Sequence, residues 1–213
     1  MELINPLVER YAEEWTSPNE ALLNDIYQQT IQTHSHANMI SSPVQGRFLS
    51  FICSILQPEH VLEVGTFTGY SALCLAQGLP QNGSLHTIEL RDDDATIAKK
   101  NFSISKYNSQ IHLHLGNALE IIPLLDYQWD LVFIDADKIS YIQYYEMVLP
   151  RLSARGIIIA DNVLFHGQVL EETLKGKNAK AIQEFNQHVA NDSRTDQVLL
   201  TLRDGLLLIK KKK

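Results

Sequence analysis

Cysteine is scarce. The 213 residues hold two, Cys53 and Cys74, too few to staple a fold, and a chain this long buries about 70 % of its unfolded surface without help. Both sit in apolar helical patterns, Phe51-Ile52-Cys53 and Leu73-Cys74-Leu75. Of a disulfide, a metal pair and core thiols, their isolation from other ligand residues favours core packing. That usage fits a reducing compartment. Glycine (10) and proline (7) are too sparse for a collagen-like or low-complexity chain, and 45 % hydrophobic residues argue against disorder. Long apolar runs are missing as well. Ile157-Ile158-Ile159-Ala160 is far short of the roughly 20 residues that cross a bilayer. Met1 to Glu14 carries Glu2, Glu9, Arg10, Glu13 and Glu14 and has no apolar stretch of the kind a secretory leader needs. A soluble, cytoplasmic protein is expected. Positive charge is short too: 18 Lys and Arg face 25 Asp and Glu, a formal balance of −7. Without the terminal run Lys210 to Lys213, 14 basic residues face the same 25 acidic ones, a balance of −11. A broad nucleic-acid-binding face is disfavoured, although a local basic patch is compatible with that balance.

The chain divides into a helical segment, residues 1–57, and an alternating α/β core, residues 58–213, within one expected domain. In the first part Leu22, Leu23, Ile26, Tyr27 and Ile31 form one helical stripe. Ser17-Pro18-Asn19-Glu20 and Ser42-Pro43-Val44-Gln45 both read as helix starts, a cap followed by proline. The second opens a helix through Gln57, and His34 to Ser41 between them reads as a loop. From His60 onward, strands are expected at Val61–Val64, Leu85–Leu90, Ile111–Leu115, Leu131–Ile134 and Ile157–Ala160. Helices are expected around Ser71–Gln77, Asp93–Tyr107, Ala118–Leu125, Tyr141–Leu152 and Ala179–Ala190. Continuous apolar runs mark buried parallel strands, so the alternation predicts a doubly wound sheet. At the end, Val198–Leu202 and Leu206–Ile209 flank Arg203-Asp204-Gly205 as a hairpin.

Val61-Leu62-Glu63-Val64-Gly65-Thr66-Phe67-Thr68-Gly69-Tyr70-Ser71 reads as a strand, a glycine turn and a helix start. In an open parallel sheet, ligands sit at the carboxyl ends of strands near the switch point. The spacing G-x-x-x-G lacks both the pyrophosphate fingerprint and the phosphate-loop lysine. Glu89 ends the second strand, twenty residues after Gly69, where an acid accepts hydrogen bonds from ribose hydroxyls. Glu63 is enclosed by apolar neighbours, and a buried carboxylate needs donors. Gly116-Asn117-Ala118 follows the third strand and leaves room for an adenine ring.

The fourth strand ends in Asp135-Ala136-Asp137-Lys138 and the fifth in Asp161-Asn162. Adjacent parallel strands would bring Asp135, Asp161 and Asn162 to one rim as hard oxygen ligands for Mg²⁺, Mn²⁺ or Ca²⁺. Taken singly, each is a plain loop or turn residue. Lys138 can reach the same rim as a general base or phenolate stabiliser.

Glu-Val-Gly-Thr-Phe-Thr-Gly-Tyr-Ser, Phe-Ile-Asp-Ala-Asp-Lys and Ala-Asp-Asn-Val-Leu-Phe-His-Gly together resemble the bacterial branch of the caffeoyl-CoA/catechol O-methyltransferase family, over residues 35 to 210 and in the family's order. The resemblance implies a Rossmann-like class I methyltransferase fold: a mostly parallel seven-stranded sheet with a C-terminal antiparallel hairpin, helices on both faces and extra N-terminal helices. It implies S-adenosylmethionine as methyl donor, a divalent cation, and methylation of one hydroxyl of a catechol-like vicinal diol. Met39, Glu63, Gly65, Ser71, Glu89, Ala118 and Asp135 would contact the cofactor. Asp135, Asp161 and Asn162 would hold the metal, and Lys138 would be the catalytic lysine. A homodimer is implied, with the N-terminal helices contributing to its interface.

Three features depart from the family's pattern, all on the acceptor side. Phe165 stands where plant members carry tryptophan, Gln45 replaces an acid, and Gly167–Lys177, expected to border the acceptor pocket, does not align. His112 and His114 share a strand face, where exposure is favoured over metal binding. His34, His36 and His166 are expected near the acceptor without assigned roles, and Tyr141, Tyr144 and Tyr145 are expected to pack. Two other readings stay open: a tRNA hydroxyuridine O-methyltransferase, for which the terminal lysines speak, and a non-catalytic S-adenosylmethionine-binding relative.

Overall fold

A computed structural model describes residues 3–212. Met1 and Glu2 of the opening segment, and Lys213 of the lysine run, lie outside the described residues. The helical segment contains α1 (Pro6–Trp15), α2 (Ala21–Thr33) and α3 (Pro43–Leu56). α3 starts as its sequence predicts: Pro43 takes the first position and the Ser42 hydroxyl accepts the Gln45 N–H at 3.3 Å. The matching signature at Ser17-Pro18-Asn19-Glu20 fails. α2 begins at Ala21 behind Glu20 with no side-chain cap. Asn19 is instead buried, and its amide donates to the Tyr70 hydroxyl at 3.0 Å. In the expected α2 stripe Leu23 and Ile26 are buried and Leu22 and Tyr27 pack partly buried against the same core, whereas Ile31 stays exposed. The loop before α3 contains one 3-10 turn, Ala37–Met39.

The seven strands are β1 (His60–Val64), β2 (Ser84–Glu89), β3 (Ile111–Leu115), β4 (Trp129–Ile134), β5 (Leu152–Asp161), β6 (Thr195–Leu200) and β7 (Leu206–Lys211). They lie in the order β3-β2-β1-β4-β5-β7-β6. β1 to β5 run parallel, and β7 inserts antiparallel to both β5 and β6. The remaining helices are α4 (Tyr70–Gln77), α5 (Asp92–Ser103), α6 (Ala118–Ile121), α7 (Tyr141–Val148) and α8 (Lys177–Asn191). Alternate strand residues feed two cores. Val61, Leu131, Phe133 and Ile159 pack with Leu49, Leu73 and Phe102 on one face. Leu62, Val132, Ile134 and Ile158 pack with Tyr145, Val148 and Phe185 on the other. Burial on both faces is why these strands read as unbroken apolar runs. Cys53 and Cys74 are free thiols in the first of these cores.

Several boundaries move, each for a local reason. The helix expected to reach Leu152 stops at Val148 and tightens into a 3-10 turn around Pro150, which has no N–H to continue the ladder. Pro123 shortens α6 in the same way. β5 starts at Leu152 rather than Ile157, because Leu152 pairs with Trp129 across a register shift. α5 ends at Ser103 rather than Tyr107, β6 spans Thr195–Leu200 rather than 198–202, and Leu90 lies beyond β2, exposed. Two of the terminal lysines bond to the fold. Lys211 donates to the Pro150 and Leu152 carbonyls, and Lys210 pairs with Asp196 at 3.3 Å.

Candidate active site

Sequential strands leave β1 in opposite directions, β2 and β3 to one side and β4 and β5 to the other, so a crevice opens at their carboxyl ends. A cleft of about 620 Å³ occupies it, a size suited to a cofactor together with a small second ligand. Met39, Gly65, Ser71, Glu89, Ala118, Asp135, Lys138 and Asn162 line it. Glu63 and Asp161 lie behind its wall, fully buried.

Gly65 turns the chain out of β1 at φ +101, a conformation costly for any residue with a Cβ. A Cβ there would sit 2.0 Å from the Asp135 carbonyl oxygen, so the glycine also lets the β1 and β4 ends lie side by side. Gly69, at φ +86, then opens α4 against Phe102, and the two glycines frame a loop whose Phe67 N–H points at Glu89. The Glu89 carboxylate accepts from Phe67 N at 2.7 Å through one oxygen and from Arg91 N at 2.9 Å through the other. Each oxygen keeps a lone pair, and the side chain lines the cleft. These are the acceptors a ribose diol requires. Glu89→Ala is expected to weaken S-adenosylmethionine binding by about 1.5–3 kcal/mol, the scale of a charged hydrogen bond. Isothermal titration calorimetry checks this, and unchanged affinity in a folded variant would remove Glu89 from the cofactor site.

Glu63 supports that loop from below. The Thr87 hydroxyl donates to its carboxylate and Thr66 lies against Thr87, while Oε1 has no partner. Burial pushes the Glu63 carboxyl up to about 8, a rise opposed by the Ser71 and Thr87 hydroxyls and reinforced by Asp135 and Glu89.

At the β4 and β5 ends the Lys138 ammonium donates to Asp135 Oδ1 at 3.0 Å, Asn162 Oδ1 at 2.8 Å and the Tyr141 hydroxyl at 2.7 Å. Two oxygens from different strands therefore already converge on one positive charge. The Asn162 amide is oriented by Asp204, which accepts its Nδ2 at 3.2 Å and leaves the oxygen facing Lys138. Beneath them Asp161 accepts from Asn162 N and from Gln45 Nε2, each at 2.6 Å. Burial, and then the Asp135 charge, hold its carboxyl above the ordinary range. Among the described residues, no three His, Cys, Asp or Glu side chains converge as metal ligands. A hard cation here would have to take one of its donors from the Asn162 amide, and the oxygens of Asp135, Asp161 and Asn162 are a set of the kind Mg²⁺ or Mn²⁺ accepts.

Several expectations change. Tyr141 does more than pack: its buried hydroxyl lies 3.0 Å from the Asp161 carbonyl and accepts Lys138, and burial holds its pKa well above the usual phenol value. Tyr144 donates to Asp137 and lines the cleft. The signal was present in the sequence, since Tyr141 follows Lys138 by three residues at a helix start. Phe165 and His166 line the cleft, whereas residues 167–177 do not border it among the described residues. His34 turns away from it and bonds Asp94 at 2.8 Å, its ring edge-on to Phe67. His112 is exposed as expected, but His114 is half-buried and lies 3.1 Å from His86 Nδ1. Arg203 and Asp204, read only as hairpin residues, also line the cleft, and Arg203 donates to the Asn38 carbonyl at 2.9 Å.

Comparison with known proteins agrees with this geometry. The family model described as O-methyltransferase matches residues 13–212. A catechol O-methyltransferase from Niastella koreensis is 36 % identical over 166 residues, 76 % of this chain and 75 % of that protein. A caffeoyl-CoA O-methyltransferase from Stellaria longipes is 30 % identical over 186 residues, 82 % and 77 % of the two chains. Among solved structures, the SAH-bound methyltransferase PaMTH1 of Podospora anserina superposes with a TM-score of 0.90 at 27 % identity, covering 97 % of this chain and 94 % of its own. The SAH complex of a Bacillus cereus O-methyltransferase gives 0.86 at 28 % identity, with 97 % of both chains covered. The chain thus belongs to the O-methyltransferase family and is an S-adenosylmethionine-dependent methyltransferase.

Proposed function

We propose that the enzyme methylates one hydroxyl of a catechol-like vicinal diol in a reaction that requires a divalent cation. One observation carries the reading: Asp135 Oδ1 and Asn162 Oδ1 converge on the Lys138 ammonium in the same cleft that Glu89 lines. Asp135 and Asn162, with Asp161 beneath them, would hold the cation, whose charge would lower the pKa of a phenol beside it. S-adenosylmethionine, when bound, supplies an electrophilic methyl carbon whose bond to sulfur breaks as the acceptor oxygen attacks.

The chain's own groups set up that attack. The Lys138 nitrogen lies within hydrogen-bond distance of Asp135, Tyr141 and Asn162. From there it would take the hydroxyl proton or stabilise the forming phenolate. Tyr141 and Asn162 hold the ammonium in place, and Asp204 fixes the Asn162 amide. Met39, Phe165 and Tyr144 give the cleft apolar walls suited to an aromatic ring. A homodimer belongs to the same reading, supported by α1, which exposes Leu7, Val8, Tyr11 and Trp15 on an amphipathic helix without buried residues. Against the tRNA reading stands the acidic balance of the chain, 18 basic residues to 25 acidic ones.

A turnover screen over catechol, the matching monophenol and bulk tRNA tests the proposal. Catechol is expected to be methylated at least tenfold faster than the monophenol. Equal rates on the two, or methylation of tRNA alone, would overturn it.

A further inference from the structure

Gln45 lies outside the cleft and cannot touch either substrate, yet it is fully buried and reaches across 116 residues of sequence to the carboxylate beneath the rim. We infer that Gln45 is a positioning residue for the proposed metal centre, its neutral side-chain amide fixing Asp161 in the ligating orientation. The inference rests on the cation-dependent reading above.

The Gln45 side chain starts from a rigid place. It occupies the first turn of α3, where the Ser42 hydroxyl accepts its backbone N–H and Pro43 fixes the preceding turn. From there Nε2 donates to Asp161 Oδ2 at 2.6 Å. The other oxygen, Oδ1, accepts the Asn162 N–H at the same distance. Each carboxylate oxygen thus receives one donor, and the group cannot rotate without breaking one of two short bonds. Each also keeps a lone pair for a cation.

The chemistry of the donor matters as much as its position. Asp161 is wholly buried and close enough to Asp135 to feel its charge. An acid at position 45 would offer Asp161 no donor in its ionised form. A lysine or arginine would bring its own positive charge, which competes with a metal ion for the same carboxylate. An amide donates without contributing charge. Such outer partners commonly set metal affinity by 10–100-fold through the orientation of the ligand they hold. The residue belongs to the N-terminal helical segment, so that segment helps to build the reaction site.

The test uses the full-length protein without acceptor, with Mn²⁺ as the probe. Free Mn²⁺ is followed by electron paramagnetic resonance, and S-adenosylmethionine binding by calorimetry, in wild type, Gln45→Met and Gln45→Asn. Methionine keeps the volume but cannot donate; asparagine keeps an amide that falls one methylene short. Both are expected to bind Mn²⁺ about 10–100-fold more weakly than wild type, with S-adenosylmethionine affinity within twofold. A merely structural residue would alter thermal stability and leave the Mn²⁺ affinity in place. Wild-type Mn²⁺ affinity in the folded Gln45→Met protein would overturn the inference while leaving the cation-dependent reading intact. Should that variant fail to fold, the same comparison on Gln45→Asn decides. Absence of Mn²⁺ binding by wild type itself would overturn the cation-dependent reading and this inference together.

Discussion

Replacing Lys138 with alanine is expected to lower the rate of methyl transfer by about 10²-fold or more, the usual loss when one preorganised donor is removed from developing charge. The ammonium donates to Asp135, Asn162 and Tyr141 from within the cleft. None of these partners is Glu89, which lies at the end of β2, two strands away from β4. The dissociation constant for S-adenosylmethionine is therefore expected to stay near that of wild type. Single-turnover rates from pH 6 to 9, paired with calorimetry, separate the two effects. Turnover that survives across this range would leave the cation alone to activate the hydroxyl and would remove Lys138 from the chemistry.

Exhaustive chelation with EDTA is expected to abolish methylation of catechol, and Mg²⁺ or Mn²⁺ to restore it. Asp135 and Asp161 end neighbouring strands, and the charge of one raises the pKa of the other. Two unit charges about 4 Å apart repel by about 4 kcal/mol at an effective dielectric constant of 20, so a nearby cation relieves a real cost. Lys138 supplies one positive charge to this rim, fewer than the two carboxylates carry. Ca²⁺ is expected to bind with much lower turnover, because its looser coordination misplaces the attacking oxygen. Full activity after chelation would leave a metal-independent methyltransferase on the same fold.

How much of this was legible beforehand differs between elements. The strands of the parallel sheet were visible because burial on both faces leaves continuous apolar runs, such as Leu131 to Ile134. The α3 start was visible because Ser42 and Pro43 act locally. Ser17-Pro18-Asn19-Glu20 carried the same local signal, yet the helix starts only at Ala21 with no side-chain cap, and Asn19 packs against Tyr70, 51 residues away. The five extra residues at the start of β5 were hidden because Ser153, Ala154 and Arg155 carry no strand pattern, and the pairing of Leu152 with Trp129 extends the strand.

The sequence by itself determined the order of elements, the glycine turn after β1, and which residue types stand at each strand end. Those features depend on periodicity, on backbone sterics at Gly65 and Gly69, and on side-chain chemistry, all of which act within a few residues. Only the tertiary structure decided which of those side chains meet. It set Lys138 between Asp135 and Asn162, buried Asp161 under Gln45, turned His34 toward Asp94, and brought Arg203 and Asp204 of the hairpin into the cleft. The physical reason is that, apart from the local pair Lys138 and Asp135, these contacts join different elements across the sheet or beyond it. Their distances are fixed by strand order and helix packing, which no local pattern in a single sequence encodes.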